Sequence, residues 1–417
     1  MSLERATSIV RRLNEAGYTA YFAGGWVRDF LMGHPSEDID IATNAPLQII
    51  LDLFPRTYQV GIAFGVVIVA IEGDQFEVAT FRRDLDYESG RRPRQIELAA
   101  PEEDALRRDF TINGMFYDPL NDKVIDFVGG AHDLKRRLIR TIGDPFERFF
   151  EDRLRMIRAV RFAARFGFTI DLATEEAIRE NSDLLFPAVA VERVWQELSK
   201  MARYPASFDS ALITLHRLEL LPILFPQLQG VHLQQIKARV APFSQLTEDC
   251  PPLFLLLQLF PEASDEELLE LVANYKLSRT DKKIALTHCK VRQWAPQLLG
   301  GQNECNLWEW TQLLADPYSD LALHLWSQYL TAQEQLLFRE RLRPLRQRLK
   351  GHVDRLIDRK PLLSGRHLER LGISPGPPMG RLLDEAERMA VEKNLHEVTE
   401  LLPLLQQTPL WSDALNH

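Results

Sequence analysis

The chain has 417 residues, of which 45% are hydrophobic and 26% are charged, and its formal net charge at pH 7 is −9. These values are typical of a globular protein with about two to four domains. The three cysteines form no Cys-x-x-Cys pair, which argues against a zinc knuckle or a disulfide framework and favours a reducing, cytoplasmic location. No apolar run reaches the ~20 residues that a membrane-spanning helix needs, so no membrane partner is expected.

The acidic total does not exclude a nucleic-acid partner, because binding depends on local patches of charge. Basic residues are concentrated in two segments, residues 135–165 and 339–360. Either segment alone is explained about equally well by a solvated helix face. Two such segments in an acidic chain favour a polyanionic partner.

The first elements are expected to be a helix, a short strand and a tight turn. Residues 1–17 mix charged and apolar positions as an amphipathic helix does, and not as a signal peptide does. The run from Tyr18 to Ala23 predicts a buried strand, after which Gly24 and Gly25 let the backbone turn into a helix. Such a turn can hold a phosphate, and Arg28 would add a forked cation for a triphosphate.

Two carboxylates follow on the next predicted strand. Asp38 and Asp40 alternate with Ile39 and Ile41, so the carboxylates project from one face while the isoleucines enter the core. Oxygen ligands at this spacing suit Mg²⁺, and two such ions can clamp the attacking and leaving oxygens of a phosphoryl transfer. Taken without the preceding turn, the two aspartates would be explained equally simply by a solvated strand end. The pair together with the preceding turn predicts nucleotidyl transfer.

A hairpin is predicted next, with strands at Val66 to Ile71 and Gln75 to Phe81. Glu77 lies on the second strand, where it could join the aspartates as a third acidic residue. An exposed strand glutamate explains its position about as well.

A short polar segment comes after the hairpin. Arg107, Arg108, Asp109 and Asn113 place two guanidinium groups, a carboxylate and an amide within one or two turns. This set suits ribose hydroxyls and phosphate oxygens.

From Phe146 onward apolar residues recur at helical spacing, which predicts one helix from Phe146 to Phe166. Asp152 and Arg155 are three residues apart and therefore neighbours on one face, and Arg158 and Arg161 continue a cationic band. An aspartate that accepts from an exocyclic amino group and an arginine that donates to a ring nitrogen would select cytosine and adenine over uracil and guanine. An ion pair within the helix explains the spacing equally well.

The order of these motifs resembles the class II tRNA nucleotidyltransferase and bacterial poly(A) polymerase family, within the polymerase-β-like nucleotidyltransferases. The motifs that carry the resemblance are Gly-Gly-x-Val-Arg-Asp at 24–29, Asp-x-Asp-Ile-Ala-Thr at 38–43, Arg-Arg-Asp-x-x-x-Asn at 107–113 and Glu-Asp-x-x-Arg at 151–155.

The resemblance implies an α+β fold, with a mixed-sheet nucleotidyltransferase head followed by an all-α neck, body and tail. The expected domains are the head at 1–138, the neck at 139–204, the body at 205–300 and the tail at 301–417.

The resemblance also implies a role for each motif. Asp38 and Asp40 would bind two Mg²⁺ ions, Glu77 would be a further catalytic acidic residue, and Asp152 with Arg155 would read the base. The nucleotide-binding residues implied are Gly24, Gly25, Arg28, Arg108, Asp109, Asn113, Asp152, Arg155, Arg158 and Arg161.

Two segments point to addition of C, C and A to the 3′ end of tRNA from CTP and ATP. Residues 60–67 resemble the CCA-adding version of the family and not its poly(A) version. Residues 82–93 resemble a flexible loop that enzymes adding only C and C lack, although Ser89 stands where an acidic residue is usual. The body and tail would grip the tRNA acceptor stem and elbow, and no obligate protein partner is evident.

Two alternatives stay open at this point. The first is an A-adding enzyme or a poly(A) polymerase of the same family. The second is a non-catalytic RNA-binding module, against which the intact Asp38, Asp40 and Arg108 count.

Overall fold

The computed structural model describes residues 2–34, 36, 38–58, 65–88, 92–246, 250–300 and 306–415, with the backbone alone for residues 84–88 and 92–96. Over these residues the chain is α+β, as the sequence predicts, and it divides into two compact units, residues 1–244 and 245–417. The finer division into head, neck, body and tail remains a prediction. No helix in the described ranges is both long and apolar enough to cross a membrane.

The described strands all lie in the first unit. They are β1 (Ala20–Ala23), β2 (Asp40–Thr43), β3 (Thr57–Tyr58), β4 (Val66–Ile71), β5 (Asp74–Thr80), β6 (Arg82–Glu88), β7 (Arg92–Leu98), β8 (Phe116–Asp118), β9 (Lys123–Ile125), β10 (Leu138–Ile139) and β11 (Thr169–Ile170). Seven of them form one mixed sheet in the order β3-β4-β5-β2-β1-β8-β9, while β6 pairs with β7 and β10 with β11.

The helices are distributed over both units. Those of the first unit are α1 (Leu3–Glu15), α2 (Gly25–Leu31), α3 (Leu47–Leu53), α4 (Pro101–Leu106), α5 (Gly130–Lys135), α6 (Pro145–Glu151), α7 (Leu154–Phe166), α8 (Leu172–Asn181), α9 (Val191–Ala202), α10 (Pro205–Arg217), α11 (Leu220–Leu224) and α12 (Leu233–Val240). Those of the second unit are α13 (Pro252–Leu257), α14 (Asp265–Asn274), α15 (Arg279–Leu299), α16 (Leu307–Leu314), α17 (Ser319–Ser327), α18 (Ala332–Asp358), α19 (Gly365–Glu369), α20 (Pro377–Glu392), α21 (Val398–Leu405) and α22 (Pro409–Leu415).

The turn between β1 and α2 requires glycine. Gly24 has a φ of +68°, in the left-handed region that side chains disfavour, and a Cβ there would lie 2.8 Å from Nη1 of Arg108. β1 pairs antiparallel with β2, with Ala23 opposite Asp40. The pairing therefore brings the glycine turn and the second aspartate to the same edge of the sheet.

The register of the central strands sets the level of the acidic residues. β2 runs parallel to β5 with Ile41 opposite Val78, so Asp40 and Glu77 lie at the same level of neighbouring strands. Ile39 and Ile41 are buried, which confirms the alternation predicted for this segment. The predicted hairpin of β4 and β5 is also confirmed.

The segment predicted as a loop over residues 82–93 forms β6 and the start of β7. These strands pair antiparallel, from Arg82 opposite Leu98 to Glu88 opposite Arg92. Ser89 lies outside the described residues, as do residues 60–64 of the segment that resembles the CCA-adding version.

The single helix predicted from Phe146 to Phe166 is wrong, because α6 ends at Glu151 and α7 begins at Leu154. Asp152 has an extended backbone, and its carboxylate accepts a hydrogen bond from the Leu154 N–H at 3.0 Å. A short acidic side chain competes for nearby backbone N–H groups in this way and ends a helix. Asp152 therefore lies at a joint between two helices.

A buried ion pair joins α7 to α9. Nε of Arg161 donates to Oε2 of Glu197 at 2.5 Å, and Nζ of Lys200 lies 3.0 Å from the other carboxylate oxygen. Burial acts to raise the pKa of Glu197, but the positive charges of Arg161 and Arg158 outweigh it and hold the pKa below its ordinary value. The charge of Glu197 thus stabilises the packing of these helices.

The second unit is helical in all its described elements. One core lies around Leu368, Leu382 and Leu401, on α19, α20 and α21. Trp310 on α16 is buried. The second basic segment falls mainly on α18.

We expect Glu197→Gln to lower the free energy of unfolding at pH 7 by about 3 kcal/mol, because it leaves the Arg161 guanidinium buried without its counter-charge. Urea unfolding followed by circular dichroism measures the loss. Because the pKa of Glu197 is depressed in the folded state, the difference from the wild type should shrink as pH falls below the ordinary value of 4.5.

Glu176→Gln is the matched control, because Glu176 is exposed on the neighbouring α8. It should change the free energy of unfolding by less than about 0.5 kcal/mol. Equal effects of the two substitutions would contradict a stabilising role for the buried pair.

Candidate functional site

One cavity in the first unit, here called the main cavity, collects most of the residues selected from the sequence. Its volume is about 460 Å³, which falls in the range of small-molecule sites. It lies where the turn before α2, the segment after α4 and the α6–α7 joint meet. It is lined by Gly24, Gly25, Arg28, Asp40, Arg107, Arg108, Asp109, Asn113, Asp152, Arg155, Arg158 and Phe162.

Arg28 is held rigidly at the wall of the main cavity. Its guanidinium donates to Oδ1 of Asp29 at 2.8 Å and to Oδ1 of Asn113 at 2.5 Å, and it lies 4.5 Å from the ring centre of Phe166. Burial lowers the pKa of Arg28, and the charge of Asp29 opposes this shift. The arrangement keeps a fixed cation beside the glycine turn.

Asp109 connects the polar segment to α7. It accepts from Nε of Arg158 at 2.8 Å and from Nδ2 of Asn113 at 3.0 Å. Burial acts to raise the pKa of Asp109, but the positive charge of Arg158 and the hydrogen bond from Asn113 lower it well below its usual range. The carboxylate therefore stays ionised and fixes both partners.

Arg108 is fixed from the opposite side. Its Nη2 donates to Oδ2 of the buried Asp104 at 3.0 Å, and its guanidinium carbon lies 5.0 Å from the ring centre of Phe116. Its Nη1 occupies the space that a Cβ at residue 24 would need. The glycine and the arginine are therefore fitted to each other.

The acidic residues lie at the edge of this arrangement. Burial raises the pKa of Asp40 to about 6, the negative charges of Asp38 and Glu77 add to the shift, and the positive charge of Arg108 opposes it. Asp40 lines the main cavity, whereas Asp38 and Glu77 do not. Among the described residues, no three His, Cys, Asp or Glu side chains are grouped as a metal site, so a role for Glu77 as a third acidic residue stays a prediction.

Asp152 and Arg155 both line the main cavity, and each has its own partner. Arg193 on α9 donates to the two carboxylate oxygens of Asp152 at 2.7 and 3.2 Å. Nη1 of Arg155 donates to Oε2 of Glu151 at 2.6 Å. Within the described ranges no ion pair joins Asp152 to Arg155, so the intrahelical pair considered from the spacing is not formed.

Arg161 does not line the main cavity, and its guanidinium is paired with Glu197 on α9. Arg107 of the predicted polar segment also lines the main cavity, whereas two further residues that shape the site, Phe162 and Arg193, are not indicated by the sequence. The guanidinium carbons of Arg28 and Arg158 each lie 5.4 Å from the ring centre of Phe162. The helical spacing of Phe162 in the sequence indicates only a core position. The position of Arg193 in the sequence gives no sign that it contacts Asp152.

Two family models match the chain. Residues 20–140 match the poly A polymerase head domain, and residues 167–230 match the model described as a probable RNA and SrmB-binding site of polymerase A. The first match covers the glycine turn, the aspartates and the polar segment, and the second covers α8 to α11.

Curated relatives agree with these matches. The CCA-adding enzyme of Geobacillus thermodenitrificans is 45% identical over 208 residues, which are 50% of this chain and 51% of that enzyme. The CCA-adding enzyme of Bacillus velezensis is 40% identical over 265 residues, which are 63% of this chain and 66% of that enzyme. The chain spans about half the length of the curated relatives it matches.

Solved structures extend the likeness over nearly the whole chain. The Bacillus stearothermophilus CCA-adding enzyme in complex with CTP has a TM-score of 0.75 and 28% identity, with 98% of each chain covered. The Thermotoga maritima CCA-adding enzyme complexed with tRNA shares the fold, with a TM-score of 0.63 and 22% identity over 97% of this chain and 94% of that one. The chain therefore belongs to the nucleotidyltransferase family of the CCA-adding enzymes and the bacterial poly(A) polymerases.

Proposed function

We propose that this protein adds C, C and A to the 3′ end of tRNA, with CTP and ATP as substrates. One observation carries the proposal: a single cavity combines the glycine turn, fixed guanidinium groups, Asp40 and the Asp152–Arg155 pair. The similarity to a CCA-adding enzyme in complex with CTP, at 28% identity over nearly the whole chain, supports this substrate class. The names of the curated relatives support the same reaction.

The guanidinium groups would bind the triphosphate. Arg28 and Arg158 are fixed by Asp29 and Asp109, so little conformational entropy is lost when they meet a phosphate. Guanidinium groups match phosphate oxygens in forked geometry. Gly24 keeps the backbone beside Arg108 free of a side chain, which leaves room for the phosphates.

The acidic residues fit a divalent cation. Burial raises the pKa of Asp40, and the negative charges of Asp38 and Glu77 raise it further, so a cation beside Asp40 would be stabilised. Carboxylate oxygens are the ligands that Mg²⁺ prefers, so Asp38 and Asp40 would hold it. When bound, such ions neutralise the charge that develops on the reacting phosphate oxygens.

Asp152 and Arg155 would select the base. Arg155 makes three hydrogen bonds to protein atoms, and a guanidinium has five N–H donors, so two N–H groups remain for a ring nitrogen. Asp152 is held by Arg193, yet a carboxylate has about four acceptor positions, so one remains for an exocyclic amino group. Cytosine and adenine offer this donor and acceptor pattern, and uracil and guanine do not.

The test is incubation of the purified chain with a tRNA transcript that lacks the terminal CCA, in the presence of Mg²⁺ and labelled CTP, ATP, UTP or GTP. Growth by three nucleotides from CTP and ATP together is expected. Long A tails on any RNA would overturn CCA addition in favour of a poly(A) polymerase, the activity to which the name of the matching head-domain model refers. Addition of A alone to a tRNA that already ends in CC would favour an A-adding enzyme.

Asp40→Asn and Asp38→Asn should each lower incorporation of both CMP and AMP by about a thousandfold or more, because the loss of one carboxylate weakens charge stabilisation at the reacting phosphate. Binding of tRNA, measured by a filter assay, should change little. Asp183→Asn, on an exposed residue of the same unit, should leave incorporation unchanged. Loss of AMP incorporation alone would contradict one metal site that serves both additions.

Asp152→Asn combined with Arg155→Asp should raise the use of UTP or GTP relative to CTP and ATP by at least roughly tenfold, because a hydrogen bond to a charged group contributes about 1.5 to 3 kcal/mol. Steady-state incorporation of all four nucleotides measures the shift.

Arg193→Gln is the companion variant, since it frees the Asp152 carboxylate but leaves the reading residues in place. Arg193→Gln should lower the preference for CTP and ATP over UTP and GTP by less than the double variant does. Arg193→Lys should restore part of that preference, because lysine keeps the positive charge. An unaltered preference for C and A in the folded double variant would refute base reading by this pair.

A further inference from the structure

A second cavity of about 420 Å³ lies at the opposite end of α7 from Asp152. Three helices end there, because α2 ends at Leu31, α5 at Lys135 and α7 at Phe166. The residues that line it are Leu31, Met32, His34, Ala131, Leu134, Lys135, Arg137, Phe166 and Phe168.

The lining combines cations with aromatic rings and contains no acidic residue. Lys135 and Arg137 are exposed, and neither forms an ion pair with any residue in the described part of the chain. Phe166 and Phe168 form a tilted pair with ring centres 5.6 Å apart. In a chain of net charge −9, an unpaired cationic rim over an apolar floor is complementary to an anion that carries a flat apolar group.

The second cavity is preorganised. The N–H of Arg137 donates to the carbonyl of Leu134, and its carbonyl accepts from the N–H of Thr169, so the backbone is fixed on both sides of the side chain. The N–H of Phe168 donates to the carbonyl of Ala163 and closes the end of α7. A site whose backbone is already ordered loses less entropy on binding than a mobile one.

An aromatic stack connects the second cavity to the main cavity. Phe162 lines the main cavity, Phe166 lines the second one, and their rings are parallel within 7° at 6.0 Å. The Arg28 guanidinium packs over both rings. The two cavities are therefore connected by a stacked pair of rings that lie one helical turn apart on α7.

We infer that the second cavity binds a phosphorylated nucleoside, with the phosphate at Lys135 and Arg137 and the base against Phe166 and Phe168. Aromatic rings bind bases of any sequence by stacking, and lysine and arginine bind the phosphates. The inference rests on the proposed function, because a polymer of such units is its substrate. The nucleoside phosphate is a residue of the RNA strand or a free nucleotide, and the experiment distinguishes the two sources.

The test compares the full-length wild type with Lys135→Gln/Arg137→Gln, which removes two charges but keeps two long side chains. Fluorescence anisotropy with labelled tRNA lacking CCA gives the Kd at several salt concentrations. We expect the Kd to rise about tenfold. The slope of log Kd against log salt should fall by about 0.7, because the two side chains contact one phosphate and each phosphate of a single strand contributes about 0.7.

The matched control is Arg11→Gln/Lys123→Gln, which removes the same charge from exposed residues of α1 and β9. Its Kd should stay within about twofold of the wild-type value, and its salt slope should differ from that of the wild type by less than about 0.3. Calorimetric titration with CTP tests the other source: two CTP sites in the wild type and one in the Lys135→Gln/Arg137→Gln variant would identify a free nucleotide as the ligand. If the Lys135→Gln/Arg137→Gln variant shows neither a change in RNA binding nor the loss of one CTP site, the inference is overturned.

If the Lys135→Gln/Arg137→Gln variant does not fold, a measurement on the wild type alone still tests the inference. Acetylation of lysines with and without tRNA, followed by mass spectrometry, should show protection of Lys135 and none of Lys123. If neither RNA nor CTP protects Lys135, the inference is wrong. These readouts need no nucleotide transfer, so a wild type that binds through the second cavity but adds no nucleotide would refute the proposed function and leave this inference standing.

Discussion

The main cavity depends on a chain of buried charges that neutralise one another. Asp29 holds Arg28, Arg28 bonds to Asn113, Asn113 bonds to Asp109, and Asp109 holds Arg158. A buried guanidinium without a partner would cost several kcal/mol, so each member requires the next. The network joins α2, the polar segment and α7 and fixes their relative positions, and the cations that face the cavity stay ordered without a ligand.

The ring of Phe162 is the surface against which the arginines of this network pack. Arg28, Arg158 and Arg161 all pack against its ring, with guanidinium carbons 4.0 to 5.4 Å from the ring centre. A ring attracts cations to its face, and this attraction is stronger where water is excluded. Arg28 and Arg158 line the main cavity, whereas Arg161 does not and is paired with Glu197. One aromatic side chain thus contacts two arginines at the cavity and one that stabilises helix packing.

Local patterns predicted the glycine turn, the alternation of Asp38 and Asp40 and the hairpin of β4 and β5, because these depend on φ angles and on the period of a strand. Three features depend on tertiary contacts and could not be read from spacing. Arg161 belongs to the same cationic band as Arg158 in the sequence, but its partner Glu197 lies 36 residues further on. The break at Asp152 depends on a hydrogen bond to Leu154 and on Arg193, which lies 41 residues away. The pairing of β6 with β7 occurs in a segment rich in charge, whose composition is typical of a loop.

The break at Asp152 has a consequence for base reading under the proposed function. On a continuous helix Asp152 and Arg155 would be neighbours on one face and could neutralise each other, which would consume the acceptor and the donor that a base needs. At the joint, Arg193 and Glu151 neutralise them separately. Two of the N–H groups of Arg155 and part of the Asp152 carboxylate then remain for a ligand, in fixed positions. A fixed pair discriminates more strongly than a mobile one, because it cannot rearrange to satisfy uracil or guanine and would leave buried polar groups unpaired. The irregular backbone at this point is therefore the feature that allows two charged residues to act in place of a template.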